Sequence, residues 1–195
     1  MAKKTQSKKN IRSLLEQSAK ESLPLRIRRG VQKNEVVHGT VLEIGADWIL
    51  LASLRDGGYL DGYTALRIED LRLVEAEETF LPVLKKDAQW PPKKPSALDI
   101  ANPRTIMETA AAKETLVAVF QEAKRPDTCL IGAPMDWGKK SVWLLTVDPA
   151  AQWEDFLIKL PFKDITRISF GGDYETALLR VAGAVPSPET LDNGQ

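Results

Sequence analysis

Ile44-Gly45-Ala46-Asp47-Trp48-Ile49-Leu50-Leu51 and Ile131-Gly132-Ala133-Pro134-Met135-Asp136-Trp137 place an isoleucine, a glycine, an aspartate and a tryptophan in the same order. An apolar run follows each, the second being Val142-Trp143-Leu144-Leu145. Further on, Leu66-Arg67-Ile68-Glu69-Asp70-Leu71 answers Leu160-Pro161-Phe162-Lys163-Asp164-Ile165. Asp70 precedes Phe80 by ten residues and Leu84 by fourteen, and Asp164 precedes Tyr174 and Leu178 by the same intervals. Matching polar, aromatic and aliphatic positions over such a span predict two copies of one small fold.

Working outward, Ile11, Leu14, Leu15 and Ala19 recur at helical spacing and predict a helix over 8–21, ended before Pro24. Leu25-Arg26-Ile27-Arg28 alternates with period two, as a strand does. Further strands are expected at 36–44, 48–54, 63–68 and 71–75, with turns at Asp56-Gly57-Gly58 and Asp61-Gly62. Lys85 to Asn102 holds the Pro/Lys-rich stretch Trp90-Pro91-Pro92-Lys93-Lys94-Pro95 and reads as a linker. Asn102-Pro103 is a helix start, and the alanine-rich run beyond it predicts a helix to about Lys124. Strands are then expected near 128–133, 140–147, 153–160 and 165–170. Asp173 would cap a closing helix that carries Tyr174, Leu178 and Val181 inward, and 186–195 reads as a tail.

A helix followed by five short bent strands resembles the Sm-like small barrel, the fold of Sm and LSm proteins. The resemblance rests on Gly39-Thr40-Val41-Leu42 followed by Asp47-Trp48, and on Gly58-Tyr59-Leu60-Asp61-Gly62-Tyr63 through Leu71. It implies a mainly β chain with flanking helices (α+β): two tandem five-stranded barrels, each preceded by a helix. The first barrel would span 24–84 after an arm and helix at 1–23. The second, with its helix, would span 103–185 beyond the linker at 85–102. Two departures bear on activity. Ile49, Leu50 and Leu51 stand where the family's base-binding asparagine is expected, and Arg67 is followed by Ile68 rather than glycine. No base-binding residue of that family therefore carries over.

The 195 residues hold 27 Lys/Arg and 27 Asp/Glu, yet the charges are segregated. Residues 1–35 contain ten cations against three acids, residues 36–90 five against ten, and residues 127–195 six against ten. A basic arm thus precedes two acidic bodies, a pattern that attracts phosphate backbones or an acidic protein surface. Arg26, Arg28, Arg29 and Lys33, with Lys8 and Lys9 of the arm, are the candidate phosphate contacts, placed on what reads as an exposed edge strand. Tyr59, Tyr63 and Trp90 offer stacking faces. Trp48, Trp137, Trp143 and Trp153 read as core, as does Cys129.

One histidine, His38, and one cysteine leave little for catalysis, and no nucleophile elbow, phosphate-binding glycine loop or paired-histidine metal spacing occurs. Asp47, Asp136, Asp70 and Asp164 read as turn aspartates that bond nearby backbone. The expectation is a cytoplasmic, non-enzymatic protein without cofactor, metal or membrane span. Its partner is RNA, met through the basic arm and edge. The alternative is a protein-interaction module of regulatory or immunity type that uses its strand edges. Self-association stays open.

Overall fold

The computed structural model describes residues 6–32 and 35–187. Helix α1 (Lys8–Glu21) starts where the Ser7 hydroxyl accepts the Asn10 N–H, and ends at Ser22 in the left-handed region (φ 53°). Its apolar face puts Ile11 and Leu15 in the core. Ser18 is buried on the same face, donating to the Leu23 carbonyl at 2.6 Å and accepting the Val41 N–H at 3.0 Å. The helix is thereby tied to the sheet it covers.

Strands β1 (Pro24–Arg29), β2 (Val36–Ile44), β3 (Trp48–Arg55), β4 (Tyr59–Arg67) and β5 (Leu71–Ala76) follow, with a 3-10 turn at Ile68–Asp70 between the last two. A short helix α2 (Leu81–Leu84) and helix α3 (Pro103–Glu114) come next. Then come β6 (Val117–Phe120), β7 (Cys129–Trp137), β8 (Ser141–Val147), β9 (Trp153–Pro161), a 3-10 turn at Phe162–Asp164, β10 (Arg167–Phe170) and helix α4 (Asp173–Ala182).

All ten strands form one open antiparallel sheet in the order β5-β1-β2-β3-β4-β10-β6-β7-β8-β9. This corrects the expectation of two closed Sm-like barrels: the chain is mainly β with helices, but its sheet runs on from one half into the other. The joint is β4 against β10, where Thr64 faces Ser169. A hydroxyl chain crosses it, Ser53 to Thr64 at 2.8 Å and Thr64 to Ser169 at 2.9 Å. β1 is not an edge strand, because β2 and β5 flank it. The edges are β5 and β9. On β5 the Val74 N–H is taken by the Gln6 side chain at 2.8 Å, which blunts that edge.

Each half follows the order fifth-first-second-third-fourth along the sheet. The bulge between Val41 and Glu43 in β2 has its counterpart between Pro134 and Asp136 in β7. On that register Gly39 corresponds to Gly132, and a Cβ at either would meet backbone, Ala52 O at 2.6 Å or Leu145 O at 2.1 Å. The Asp-Trp match that opened the sequence reading is out of register with this. Trp48 begins β3 after the turn, whereas Trp137 ends β7 before it. The later match holds its place: Asp70 and Asp164 each end a 3-10 turn, and Leu84 and Leu178 are each buried on a helix beyond it.

One core joins the halves. Trp48, Leu50 and Ala65 pack with Ile106 and Met107 of α3 and with Val142, Leu144, Ile165 and Phe170. Leu98 and Ile100, from the stretch expected as linker, are buried in that same core. A second cluster under α1 gathers Leu25, Ile27, Ile49, Leu66 and Leu71. Helix α3 ends at Glu114, ten residues before Lys124, capped by Thr115 (φ 67°), and Val117 to Phe120 run on as β6. The β-branched Val117 and Val119 explain why the alanine-rich helix does not continue. Gly62 lies within β4 rather than in a turn; at φ 66° it lets the strand approach the Gly172 backbone, which a Cβ would meet at 2.5 Å. Gly172, not Asp173, takes the cap position of α4, and of that helix's expected inward residues only Leu178 is buried, Tyr174 and Val181 being exposed.

Candidate binding groove at the helix and turn junction

The six proposed phosphate contacts do not converge. Arg29 points inward with its side chain 1% exposed, donating to Glu35 and to Glu122, whose side chain is 2% exposed. Glu122 also accepts from Thr166, and Arg167 completes the set with a 2.6 Å bond to Glu35. Burial works against the Arg29 charge, but the bonds and proximity of Glu122 and Glu35 outweigh it and hold its pKa above the ordinary value. Arg29 therefore ties β1 to the segment after β6 rather than facing solvent. Arg26 and Arg28 are half-buried on β1, Arg26 opposite His38 on one side and Glu75 on the other. Lys8 and Lys9 are exposed at the start of α1, and Lys33 lies outside the described residues.

Tyr63 and Trp90 line one groove with Pro91, Pro92 and Lys93, Tyr63 stacking on Phe170 with centroids 5.5 Å apart. Tyr59 stands elsewhere, under the Arg55 guanidinium. Of the tryptophans expected in the core, Trp48 is buried at 3% exposure. Trp137, Trp143 and Trp153 are half-buried, the first carrying Arg104 and the second Lys159 on its ring face.

A cavity of about 770 Å³ opens where α1, the β2–β3 turn and both 3-10 turns meet. Its floor is aliphatic: Ile11 and Leu15 from α1, Ile44 from β2, Ile68 and Leu71 beside the first 3-10 turn, and Ile165 beyond the second. Helical spacing places the α1 pair on one face, and the sharp 3-10 connections turn Ile68 and Ile165 toward them. The rim carries Lys8, Arg12, Arg67, Arg72 and Lys163 against Asp47 and Glu69.

The state of those cations matters more than their number. Arg67 is committed, bonding Asp70 through two nitrogens at 2.8 and 3.1 Å with Glu69 at 3.2 Å. Desolvation opposes its charge, and the bond and field of Asp70 more than restore it. It also donates to the Lys163 carbonyl at 3.2 Å, locking one 3-10 turn to the other. Arg12 pairs with Glu16. Arg72 differs: it donates to the Glu69 and Leu71 carbonyls at 2.7 and 3.1 Å, and its side chain lies over Gly30. Neutral carbonyls fix the guanidinium without cancelling its charge. Among the described residues no carboxylate lies within 4 Å of Arg72, Lys8 or Lys163.

The turn aspartates act through ion pairs more than through backbone capping. Asp70 holds Arg67, and Asp164 accepts Lys124 at 2.7 Å. Asp136 does accept a neighbouring N–H, that of Trp137. Cys129 lies at the surface at the start of β7 instead of in the core, and desolvation is the main cause that pushes its thiol up to about 11. It is thus protonated at neutral pH. No cluster of three or more His, Cys, Asp or Glu side chains suited to a metal occurs among the described residues, and no helix there is long and apolar enough to cross a membrane. In comparisons with known protein families, curated proteins and solved structures, none matches this chain.

The groove has no continuous signature in the sequence. Its lining runs from Gln6 to Ile165, and of those residues Lys8 is the one the sequence marks as a binding candidate.

Proposed function

We propose that this chain is a non-enzymatic binding protein whose working surface is the groove between α1 and the two 3-10 turns. The observation that carries the reading is the pairing of an aliphatic floor with rim cations, Arg72, Lys8 and Lys163, that no carboxylate among the described residues pairs, Arg72 being held in place by backbone carbonyls. Such a site favours a ligand with an apolar body and anionic groups, because burial of the former adds to attraction of the latter. Of the basic arm, Lys8 belongs to this rim. The expected edge-strand surface is not part of it, because β1 is interior and Arg29 is held by Glu122 and Glu35.

The test uses 8-anilinonaphthalene-1-sulfonate, an anion with an aromatic body, titrated into the full chain. One saturable class of sites is expected, weakened about tenfold by Arg72→Glu/Lys163→Glu and unchanged by Lys139→Glu/Lys140→Glu. Equal binding by all three proteins, or no binding, would remove the groove as a working surface.

A further inference from the structure

Resting on that reading, we infer that the groove's natural occupant is an acidic, partly apolar segment of a protein partner, not a nucleic acid strand. Two features separate the two, and a third fits the peptide. The floor is aliphatic, built from Ile11, Leu15, Ile44, Ile68, Leu71 and Ile165. Aliphatic side chains of a peptide pack against such a surface, whereas bases gain most by stacking on aromatic faces. Phe162 is the one half-buried aromatic on the lining, and Trp48 is closed off in the core.

Charge spacing is the second feature. A nucleic acid brings a phosphate with every nucleotide, so a strand crossing the groove meets all of its rim. That rim includes the exposed carboxylates of Asp47 and Glu69. Like charges there count against a uniform polyanion. A peptide sets its carboxylates singly, toward Arg72, Lys163 and Lys8, and sends neutral residues past Asp47 and Glu69.

The third feature is Arg72 itself. Two backbone carbonyls and the surface of Gly30 hold it in place, and no other described residue takes its remaining guanidinium N–H groups. A pre-positioned guanidinium matches a carboxylate, as it would a phosphate, at low ordering cost. The partner is thus recognised by one or two carboxylates flanking aliphatic side chains.

A displayed library of random dodecapeptides, selected on the full chain and counter-selected on Arg72→Glu/Lys163→Glu, tests this. Groove-dependent binders should carry more Asp and Glu than Lys and Arg, beside aliphatic residues. Their affinity, read by fluorescence anisotropy, should fall about tenfold in the charge-reversed variant and less in Arg72→Gln/Lys163→Gln. Circular dichroism checks that both variants fold. Basic or neutral groove-dependent peptides would overturn the inference. So would a random RNA pool yielding groove-dependent binders where the peptides yield none; the groove would then stand and its partner class would change. If peptides, RNA and the naphthalene sulfonate all bind without regard to Arg72 and Lys163, the groove reading itself falls.

Discussion

The two halves of the sheet share a strand order but differ in how they are covered. Residues 24–76 own a core under α1, with Leu25, Ile27, Ile49 and Leu66 as its centre. Residues 117–170 have their main apolar surface in the common core, against α3 and Trp48 of the first half. The same contrast appears at the two 3-10 turns. The first is braced from within by Arg67 on Asp70, while the second, with Pro161 before it, relies on Lys124 from the β6–β7 connection. What this teaches is that like topology does not make like units. The groove arises because the two turns meet, and neither half has it alone.

The largest effects that sharpen this comparison come from the tryptophans that look alike in sequence. Trp48→Ala empties the shared core and is expected to cost about 3–5 kcal/mol, against about 1 kcal/mol for Trp137→Ala at its half-buried site. Urea unfolding measures both, and equal losses would break the distinction. Close behind, Arg29→Ala leaves Glu122 buried without its partner and should cost about 3–5 kcal/mol. Arg29→Met/Glu122→Gln should recover much of that. A loss confined to half the circular dichroism signal would mean that the halves unfold separately.

Alanine at the paired glycines comes next. Gly132→Ala should destabilise by about 2–3 kcal/mol and Gly39→Ala by less, because the clash with Leu145 O is closer than that with Ala52 O. The reverse order would refute the register given for β2 and β7. The smallest effect on stability is at Cys129. Its folded thiol keeps a proton up to about 11 against an ordinary 9.0, so the unfolded state loses its proton first. Stability should therefore decline slightly as pH rises from about 9 toward 11. Alkylation by iodoacetamide checks it: the rate should climb through pH 11, and a midpoint near 9 would contradict the desolvation.

Much of the first half was legible locally. Period-two alternation at Leu25 to Arg28 and the glycine turn at 56–58 placed the strands within a few residues of where they lie. β6 is hidden because the alanines before it extend a helical pattern, which gives way only at the β-branched Thr115, Val117 and Val119. Closure into two barrels was expected because nothing near Thr64 announces its partner Ser169, 105 residues away. Burial of Arg29 was equally hidden, since its carboxylate Glu122 lies 93 residues on and arginines are usually exposed. The groove escaped for the same reason: its floor draws two residues from α1 and one each from β2, β5 and the two 3-10 connections.

Amide hydrogen exchange with and without saturating naphthalene sulfonate bears most directly on the claim that the junction is the working site. Added protection at residues 8–15, 44–48, 67–72 and 162–165 together is the predicted result. Protection on one half only, or at the Trp90 groove instead, would contradict it.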